Sequence, residues 1–278
     1  MLIKAGFNIE FLTGAATPMS ALLSIHPSRN RDLVTQHRIL ISPDVPMYDY
    51  LDSFGNVATR LTLPAGGAAL SVDFVIADDG QPDRRAPDVP VTPVQELPDD
   101  VLQFLLASRC CETERLMDTA WALFHGITSA RGQVEAIVDW AHNHISFGYH
   151  FARNTRTAWE GYQEGVGVCR DYAHLAVTLC RCMNIPARYC TGYLGDIGIP
   201  PVDAPMDFSA WFEVFVDGEW YSYDACHQAS RMGRIVMAKG RDAIDVAITT
   251  SFGTARLNTF EVTSFEVNEQ PRQVLRAA

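Results

Sequence analysis

The sequence predicts an α+β protein with an N-terminal β-sandwich-like domain and a larger core of helices packed on an antiparallel sheet. Three features of its 278 residues predict this class. Short apolar runs with a period of two fill the first part of the chain, five prolines follow within a short stretch, and a helical period then begins. Helices first and strands afterwards are typical of α+β folds rather than of alternating α/β folds.

Residues 1–81 form the predicted β-rich domain. The alternating runs cover residues 7–12, 21–25, 38–41, 57–63 and 70–76. Gly55-Asn56 and the stretch 64–67, Pro-Ala-Gly-Gly, are typical turn sequences between them. Acids, bases and nucleophiles do not cluster in this part of the sequence. We therefore expect it to have a structural or recognition role.

The next segment, residues 82–98, is a predicted linker. Its five prolines are Pro82, Pro87, Pro90, Pro93 and Pro98. Proline fits neither a helix interior nor a central strand, so this segment should be extended. The predicted core then occupies residues 99–278.

Helices open the predicted core. Two amphipathic patterns lie near residues 116–124 and 134–145, and a third helix should run from Cys169 to about Met183. Strands are expected at 187–193, 209–216 and 220–224, with Asp217-Gly218 as a hairpin turn, and at 235–237, 246–249 and 260–267.

Composition narrows the function classes. The 22 basic residues against 33 acidic ones give a formal net charge of −11, which disfavours nucleic acid and anionic membranes as partners. The apolar runs are shorter than the roughly 20 residues of a membrane span, and the first residues alternate like a strand rather than a signal peptide. Seven cysteines are an odd number without zinc-knuckle spacing. We expect a cytoplasmic protein with reduced thiols, no metal and no organic cofactor.

Cys169 follows a Gly-Val-Gly-Val turn at the start of the predicted third helix. Free backbone N–H groups and the positive end of the helix dipole would stabilise a thiolate there and lower the cysteine pKa. The alternative is a small buried cysteine after a glycine turn, and the local pattern alone leaves both open. His174 lies five residues further on, about 140° around the helix, so it is expected to be a core histidine.

The Asp217-Gly218 hairpin predicts which residues face each other. With a two-residue loop, Val216 pairs with Glu219, so Trp211 should oppose Asp224 and Ser209 should oppose Cys226. Residues that alternate along paired strands share one face. A polar group at position 209 and the carboxylate at 224 would then be neighbours, although a half-buried polar strand pair explains the same pattern.

A family resemblance rests on several blocks in order. These are residues 167–175, Gly-Val-Cys-Arg-Asp-Tyr-Ala-His-Leu; 184–189, Asn-Ile-Pro-Ala-Arg-Tyr; Gly192-Tyr193; 210–214, Ala-Trp-Phe-Glu-Val; and then Trp220 and Asp224. Over residues 95–260 the chain resembles the transglutaminase-like cysteine-enzyme superfamily, and within it the bacterial members described as putative cysteine proteases. Residues 1–80 resemble the β-rich domain that those proteins carry.

The resemblance implies a papain-like Cys-His-Asp triad that acts on peptide or protein amides through a thioester. Cys169 matches the nucleophile and Asp224 the carboxylate that orients the imidazole. The family's histidine usually lies two residues before the residue that matches Trp211, and this sequence has Ser209 there. A serine hydroxyl cannot accept a thiol proton near pH 7 as an imidazole does.

Three explanations for Ser209 stay open. In the first, His227, three residues past Asp224, serves as the base if the strand bends there. In the second, a thiolate stabilised by the helix dipole acts without a base. In the third, the site is degenerate and binds a ligand without turnover. A metal-dependent hydrolase using Cys169 is a third function class.

Trp211 and Trp159 are candidates for lining a substrate groove, with core packing as the alternative. Hydrolysis of peptide-like amides is the favoured reaction, and the sequence does not specify an oligomeric state.

Overall fold

A computed structural model describes residues 1–200 and 205–267 and shows the predicted α+β class. Within these residues the chain forms three four-stranded sheets, a short two-stranded one and four α-helices. The last eleven residues of the predicted core, 268–278, lie outside the described part.

Two of the sheets form a β-sandwich from the first 80 residues and residues 249–267. Their strands are β1 (Leu2–Thr13), β2 (Thr17–Ala21), β3 (Leu40–Ser42), β4 (Met47–Leu51), β5 (Val57–Leu63), β6 (Ala68–Ala77), and later β13 (Thr249–Ser251) and β14 (Ala255–Val267). The sheet orders are β14-β1-β6-β3 and β13-β2-β5-β4. Alternate residues of β1, including Ile3, Phe7 and Ile9, are buried in a core shared by both sheets.

The final strand of the described chain belongs to the first sheet. β14 pairs antiparallel with β1 along its whole length, from Leu2 opposite Val267 to Thr13 opposite Ala255. β13 likewise pairs with β2. The sheets of the first segment therefore include strands from the segment that the sequence assigns to the core. The boundaries 1–81, 82–98 and 99–278 stay a prediction.

Several predicted strands are displaced. β2 ends at Ala21, where a strand over 21–25 was expected, because Thr17, Met19 and Ala21 are the buried alternating set. β13 begins at Thr249 rather than at 246. β4 lacks any apolar alternation that could reveal it, since all five of its residues are exposed at a sheet edge.

The proline-rich segment lies along the core as an extended chain with two short 3₁₀ turns nearby. It is held by ion pairs of Arg84 with Glu219 and of Arg85 with Glu135, at 2.8 and 2.7 Å. Ala86 is buried against the helices. The segment is thus a packed strap rather than a free spacer.

The core contains α1 (Thr113–Phe124), α2 (Ala130–His144), α3 (Ala158–Glu164) and α4 (Cys169–Cys182). Helix α4 confirms the predicted third helix, and twelve of its fourteen residues are buried. Helix α3 was not predicted; it is a seven-residue helix whose Thr157 and Glu160 form a capping box.

Helix α4 packs on a four-stranded antiparallel sheet. Its strands, in the order β11-β10-β9-β12, are β9 (Ala187–Tyr193), β10 (Ser209–Val216), β11 (Glu219–Tyr223) and β12 (Ile235–Gly240). Phe212 and Val214 of β10 face the core that α4 fills. Two-residue strands β7 (Ser146–Phe147) and β8 (Val166–Gly167) pair in parallel and lead into α4.

Candidate active site

The turn that delivers Cys169 is held by a buried carboxylate. Asp171 Oδ2 accepts the backbone N–H of Val168 at 2.9 Å and an Arg156 guanidinium N–H at 3.0 Å. Gly167 has no side chain because an added Cβ would lie 2.6 Å from Asp171 Cβ. The hydrogen bonds of Asp171 with Val168 and Arg156 fix the first turn of α4 and therefore the position of the Cys169 side chain.

The surroundings of Cys169 raise the pKa of its thiol, opposite to the direction that a helix N-terminus alone would give. Burial, the largest cause, and the nearby carboxylates of Asp224 and Asp207 together raise the pKa of Cys169 to about 12. The backbone N–H groups of Ala210 and Arg170 act in the opposite direction but do not compensate. Desolvation of the charged form thus outweighs the helix terminus.

The β10–β11 hairpin has the predicted register. Val216 faces Glu219 and Phe212 faces Tyr223. The ladder ends at Tyr223, however, so Ser209 and Cys226 do not form the expected opposed pair. The chain leaves the sheet at Asp224, which begins a tight turn.

That turn is an Asx turn built on Asp224. Its Oδ1 accepts the backbone N–H groups of Cys226 and His227, both at 3.0 Å. The turn brings the His227 ring back over the carboxylate, and Nδ1 lies 3.0 Å from Asp224 Oδ2. The bend that the sequence analysis required for His227 is therefore present.

Asp224 is a buried, ionised carboxylate. Burial alone would raise its pKa, but the His227 hydrogen bond and the positive charge of Arg234 hold the pKa far below its ordinary value. Arg234 Nη2 lies 3.2 Å from Oδ2. The carboxylate can thus orient one ring nitrogen of His227 while Nε2 remains available for proton exchange.

A cavity of about 190 Å³ brings the candidate groups together. Cys169, Ser209, Cys226 and His227 all line it. Ser209, at the first position of β10, is partly buried, and its backbone oxygen accepts a hydrogen bond from Thr191. The cavity is where a reacting amide could contact both the thiol and the imidazole.

The rest of the cavity wall is largely apolar. Phe147, Tyr149, Leu194, Met206 and Phe208 line it. Phe147 and Tyr149 are exposed at the rim, with their ring centroids 5.1 Å apart.

Two polar residues also belong to the cavity wall. Asp207 lines it near Cys169, and burial raises the pKa of this carboxyl. Arg231 lines it, is almost fully buried and was not predicted. Arg231 lies in an irregular segment, so neither periodicity nor strand pairing could place it. Asp171 did carry a signal, since an acidic residue in a first helical turn is a capping pattern.

The structure does not bring the two predicted groove tryptophans to this cavity. Trp211 is buried beneath the Arg234 guanidinium, on a different cavity. Trp159 packs against Tyr162 and the helical core. His174 is a core histidine, as expected, and its Nε2 accepts the N–H of Ala243 at 3.1 Å.

Three further properties concern the described residues, 1–200 and 205–267. They contain no group of three or more His, Cys, Asp or Glu side chains placed to hold a metal ion. Within the same ranges, every helix is too short or too polar to cross a membrane. The seven cysteines are free thiols.

Comparison with known proteins agrees with this geometry. Residues 118–225, which include Cys169 and Asp224, match the family model of the transglutaminase-like superfamily. The crystal structure of a putative cysteine protease from Cytophaga hutchinsonii superposes with a TM-score of 0.83 at 26% identity, covering 97% of this chain and 91% of that one. Residues 118–225 are thus similar to the transglutaminase-like superfamily, and nearly the whole chain is similar in structure to that putative cysteine protease.

A second relative is similar over most of the chain. An uncharacterised protein of Mycobacterium leprae (strain TN) is 25% identical over 233 residues, which cover 79% of this chain and 81% of the relative.

Proposed function

We propose that the protein is a cysteine-dependent amidase or peptidase in which His227 replaces the histidine that the family carries at position 209. The observation that supports this most directly is the Asp224–His227 pair, 3.0 Å apart, lining one cavity with Cys169. The substrate would be a peptide or protein amide. Hydrolysis is the favoured outcome, and transfer of the acyl group to an amine is the other reaction that a thioester allows.

The first proposed step is activation of the thiol. Because burial keeps the Cys169 thiol protonated, attack needs a base. His227 Nε2 takes the Sγ proton, and Asp224 stabilises the resulting imidazolium through Nδ1. The sulfur then forms a bond to the amide carbonyl carbon, and the carbonyl oxygen becomes an oxyanion. The free backbone N–H groups in the first turn of α4 stabilise this charge.

The second proposed step releases the amine. The tetrahedral intermediate collapses, the C–N bond breaks, and His227 returns its proton to the leaving nitrogen. This leaves an acyl thioester on Cys169. Water, deprotonated by the neutral His227, then attacks the thioester and releases a carboxylic acid and the thiol.

The test is turnover of a complex peptide mixture. Peptides from a denatured protein digest are incubated with the enzyme, with and without an added primary amine, and new carboxyl termini or amine adducts are read by mass spectrometry. Wild type should generate products, whereas Cys169→Ala and His227→Ala should not. Ser209→Ala is the matched control, since it alters the same cavity and should retain activity.

The second candidate is a transglutaminase-like binding module without turnover. Two observations favour it, Ser209 at the family's histidine position and the raised pKa of Cys169. Ser209→His distinguishes the two proposals. If the site is degenerate, this variant should gain cleavage that wild type lacks. If His227 is the base, wild type is active and the variant should change its rate by less than about tenfold.

The cellular location also stays a proposal. The acidic composition and the free thiols support a cytoplasmic protein, in which thiols remain reduced. Fractionation of the source cells would test this directly, and recovery with the periplasmic or secreted fraction would contradict it.

A further inference from the structure

A second and larger cavity lies beyond the Asp224–Arg234 ion pair. Its volume is about 740 Å³, and it is walled by the β-sandwich, the linker and the core sheet. Neither Cys169 nor His227 lines it. Arg231 lines both cavities and so separates this one from the candidate active site. The proposed amidase reaction makes no use of this space.

Three lining residues carry buried N–H donors without an acceptor. The groups are Trp211 Nε1, Arg231 Nε and Arg234 Nη1, and among the described residues nothing accepts a hydrogen bond from them. The three residues are only 2%, 3% and 8% exposed, so bulk water does not satisfy these donors. Burying an unpaired donor is costly, and native proteins rarely leave several together.

The three donors belong to adjoining side chains. The Arg234 guanidinium carbon lies 5.0 Å from the centre of the Trp211 ring. Arg234 donates hydrogen bonds from Nε to Asp83 and from Nη2 to Asp224, so Nη1 is its one guanidinium nitrogen without an acceptor. Arg231 uses Nη2 for the Gly195 carbonyl oxygen at 2.8 Å. Burial lowers the pKa of Arg231, and the charge of Arg234 beside it lowers it further.

The carboxylates of the cavity wall are mostly ion-paired, and one of them pairs with Arg234 itself. Asp32 and Asp78 pair with Arg29, Asp83 pairs with Arg234, and Glu213 pairs with Arg188 and Lys239. Six basic and five acidic side chains line the cavity in total. The donors at Trp211, Arg231 and Arg234 therefore form a region with unused hydrogen-bonding capacity. The charge of Arg234 is balanced by Asp83 and Asp224, and Arg231 Nη2 lies 3.9 Å from Asp196 Oδ1.

We propose that this region binds a small oxyanion, a carboxylate or phosphate group. All the unsatisfied atoms are donors, which fits an acceptor-only ligand and excludes a cation. Guanidinium groups match the geometry of both oxyanions, and an indole N–H adds a third donor. We call the set Trp211, Arg231 and Arg234 the oxyanion pocket. The inference does not depend on turnover at Cys169.

The experiment follows the Trp211 indole N–H by ¹H–¹⁵N NMR of the full chain. Inorganic phosphate and succinate are titrated separately, each against sodium chloride at matched ionic strength. Trp211→Phe identifies the resonance, and Trp121, Trp140 and Trp159, which do not line the cavity, are internal controls. A saturable shift of the Trp211 signal supports the proposal, and the anion that produces it at lower concentration distinguishes phosphate from carboxylate ligands.

Variants test whether the binding is at this pocket. Arg231→Gln should raise the Kd at least tenfold, and Arg231→Lys, which keeps the charge but removes Nε–H, provides a second variant if the first unfolds. Arg84→Gln is the matched control, since Arg84 lines the cavity with an exposed side chain paired with Glu219, and its Kd should stay within twofold. The proposal would be overturned if the wild-type shifts were no larger than those with chloride, or if the Kd were unchanged in both Arg231 variants. The three donors would then be hydrogen-bonded to ordered water.

Discussion

A buried aspartate paired with a buried arginine lies at each of the two ends of the candidate active site, and the two pairs serve different purposes. At the start of α4, Asp171 accepts a backbone N–H and pairs with buried Arg156. At the end of β11, Asp224 accepts two backbone N–H groups and pairs with buried Arg234. Only Asp224 also contacts an imidazole. The comparison separates a carboxylate that holds backbone in place from one that can take part in proton transfer.

Removing the His227 imidazole should have the largest effect of the changes compared, and the effect should be on the rate of amide cleavage. We expect His227→Ala to lower the rate of amide cleavage by about 10² to 10⁴, because general-base catalysis contributes that much. The variant also removes a hydrogen bond to the buried Asp224, so the free energy of unfolding should fall by about 1 to 3 kcal/mol. Peptide-cleavage rates and urea denaturation measure the two quantities.

His125→Ala is the control for this comparison, because His125 is an exposed histidine at the end of α1. It should alter neither quantity. Equal activity of His227→Ala and wild type would remove His227 from the mechanism.

The carboxylate at α4 should matter most for stability. Asp171→Asn leaves the buried Arg156 with less compensation, and breaking a buried ion pair of this kind costs about 3 to 5 kcal/mol. Arg156 keeps Glu164 at 3.0 Å, so the lower end of that range is expected. Urea denaturation at neutral pH measures the change.

Asp73→Asn provides the comparison for an exposed ion pair, since Asp73 pairs with Lys4 at the surface. It should cost less than about 1 kcal/mol. If Asp171→Asn were no more costly than Asp73→Asn, the buried pair would not hold the turn.

Asp224 should make stability depend on pH in the acid range. Its pKa is lower in the folded chain than in the unfolded chain, where it is about 3.9. The stabilisation is therefore complete above that unfolded value and is lost as the pH falls towards the folded one. The unfolding free energies of wild type and Asp224→Asn should differ most near neutral pH and converge below about pH 4. A constant difference across this range would contradict the lowered pKa.

The smallest expected effect is on alkylation of the resting enzyme. Because burial raises the pKa of Cys169 to about 12, its iodoacetamide rate should still be rising at pH 10, read by peptide mass spectrometry. A free thiol would reach half its maximal rate near its pKa of about 8.5. A midpoint below that value would instead indicate a resting thiolate paired with His227.

Local pattern was enough to predict much of the fold. Helix α4, the β10–β11 register and most strands of the sandwich follow from periodicity and from Asp217-Gly218. The pairing of β14 with β1 does not, because it joins residues about 250 positions apart and neither strand's pattern specifies its partner.

The candidate site was predictable only in part. Cys169 and Asp224 carry recognisable surroundings in the sequence, and His227 was placed among the candidates without its geometry. Its position depends on where the β11 ladder stops and on the side-chain hydrogen bonds of one aspartate. The pKa of Cys169 depends on how deeply several segments bury it, which no local motif encodes.

The long ladder between β1 and β14 also sets an order of events during synthesis. β1 is synthesised before the other described strands, yet one of its two neighbouring strands ends at Val267. Until that strand emerges, the nascent chain carries an unpaired strand edge, which is open to association with other chains. Completion of the sandwich therefore waits for nearly the whole described chain, including the segment that holds Cys169 and His227.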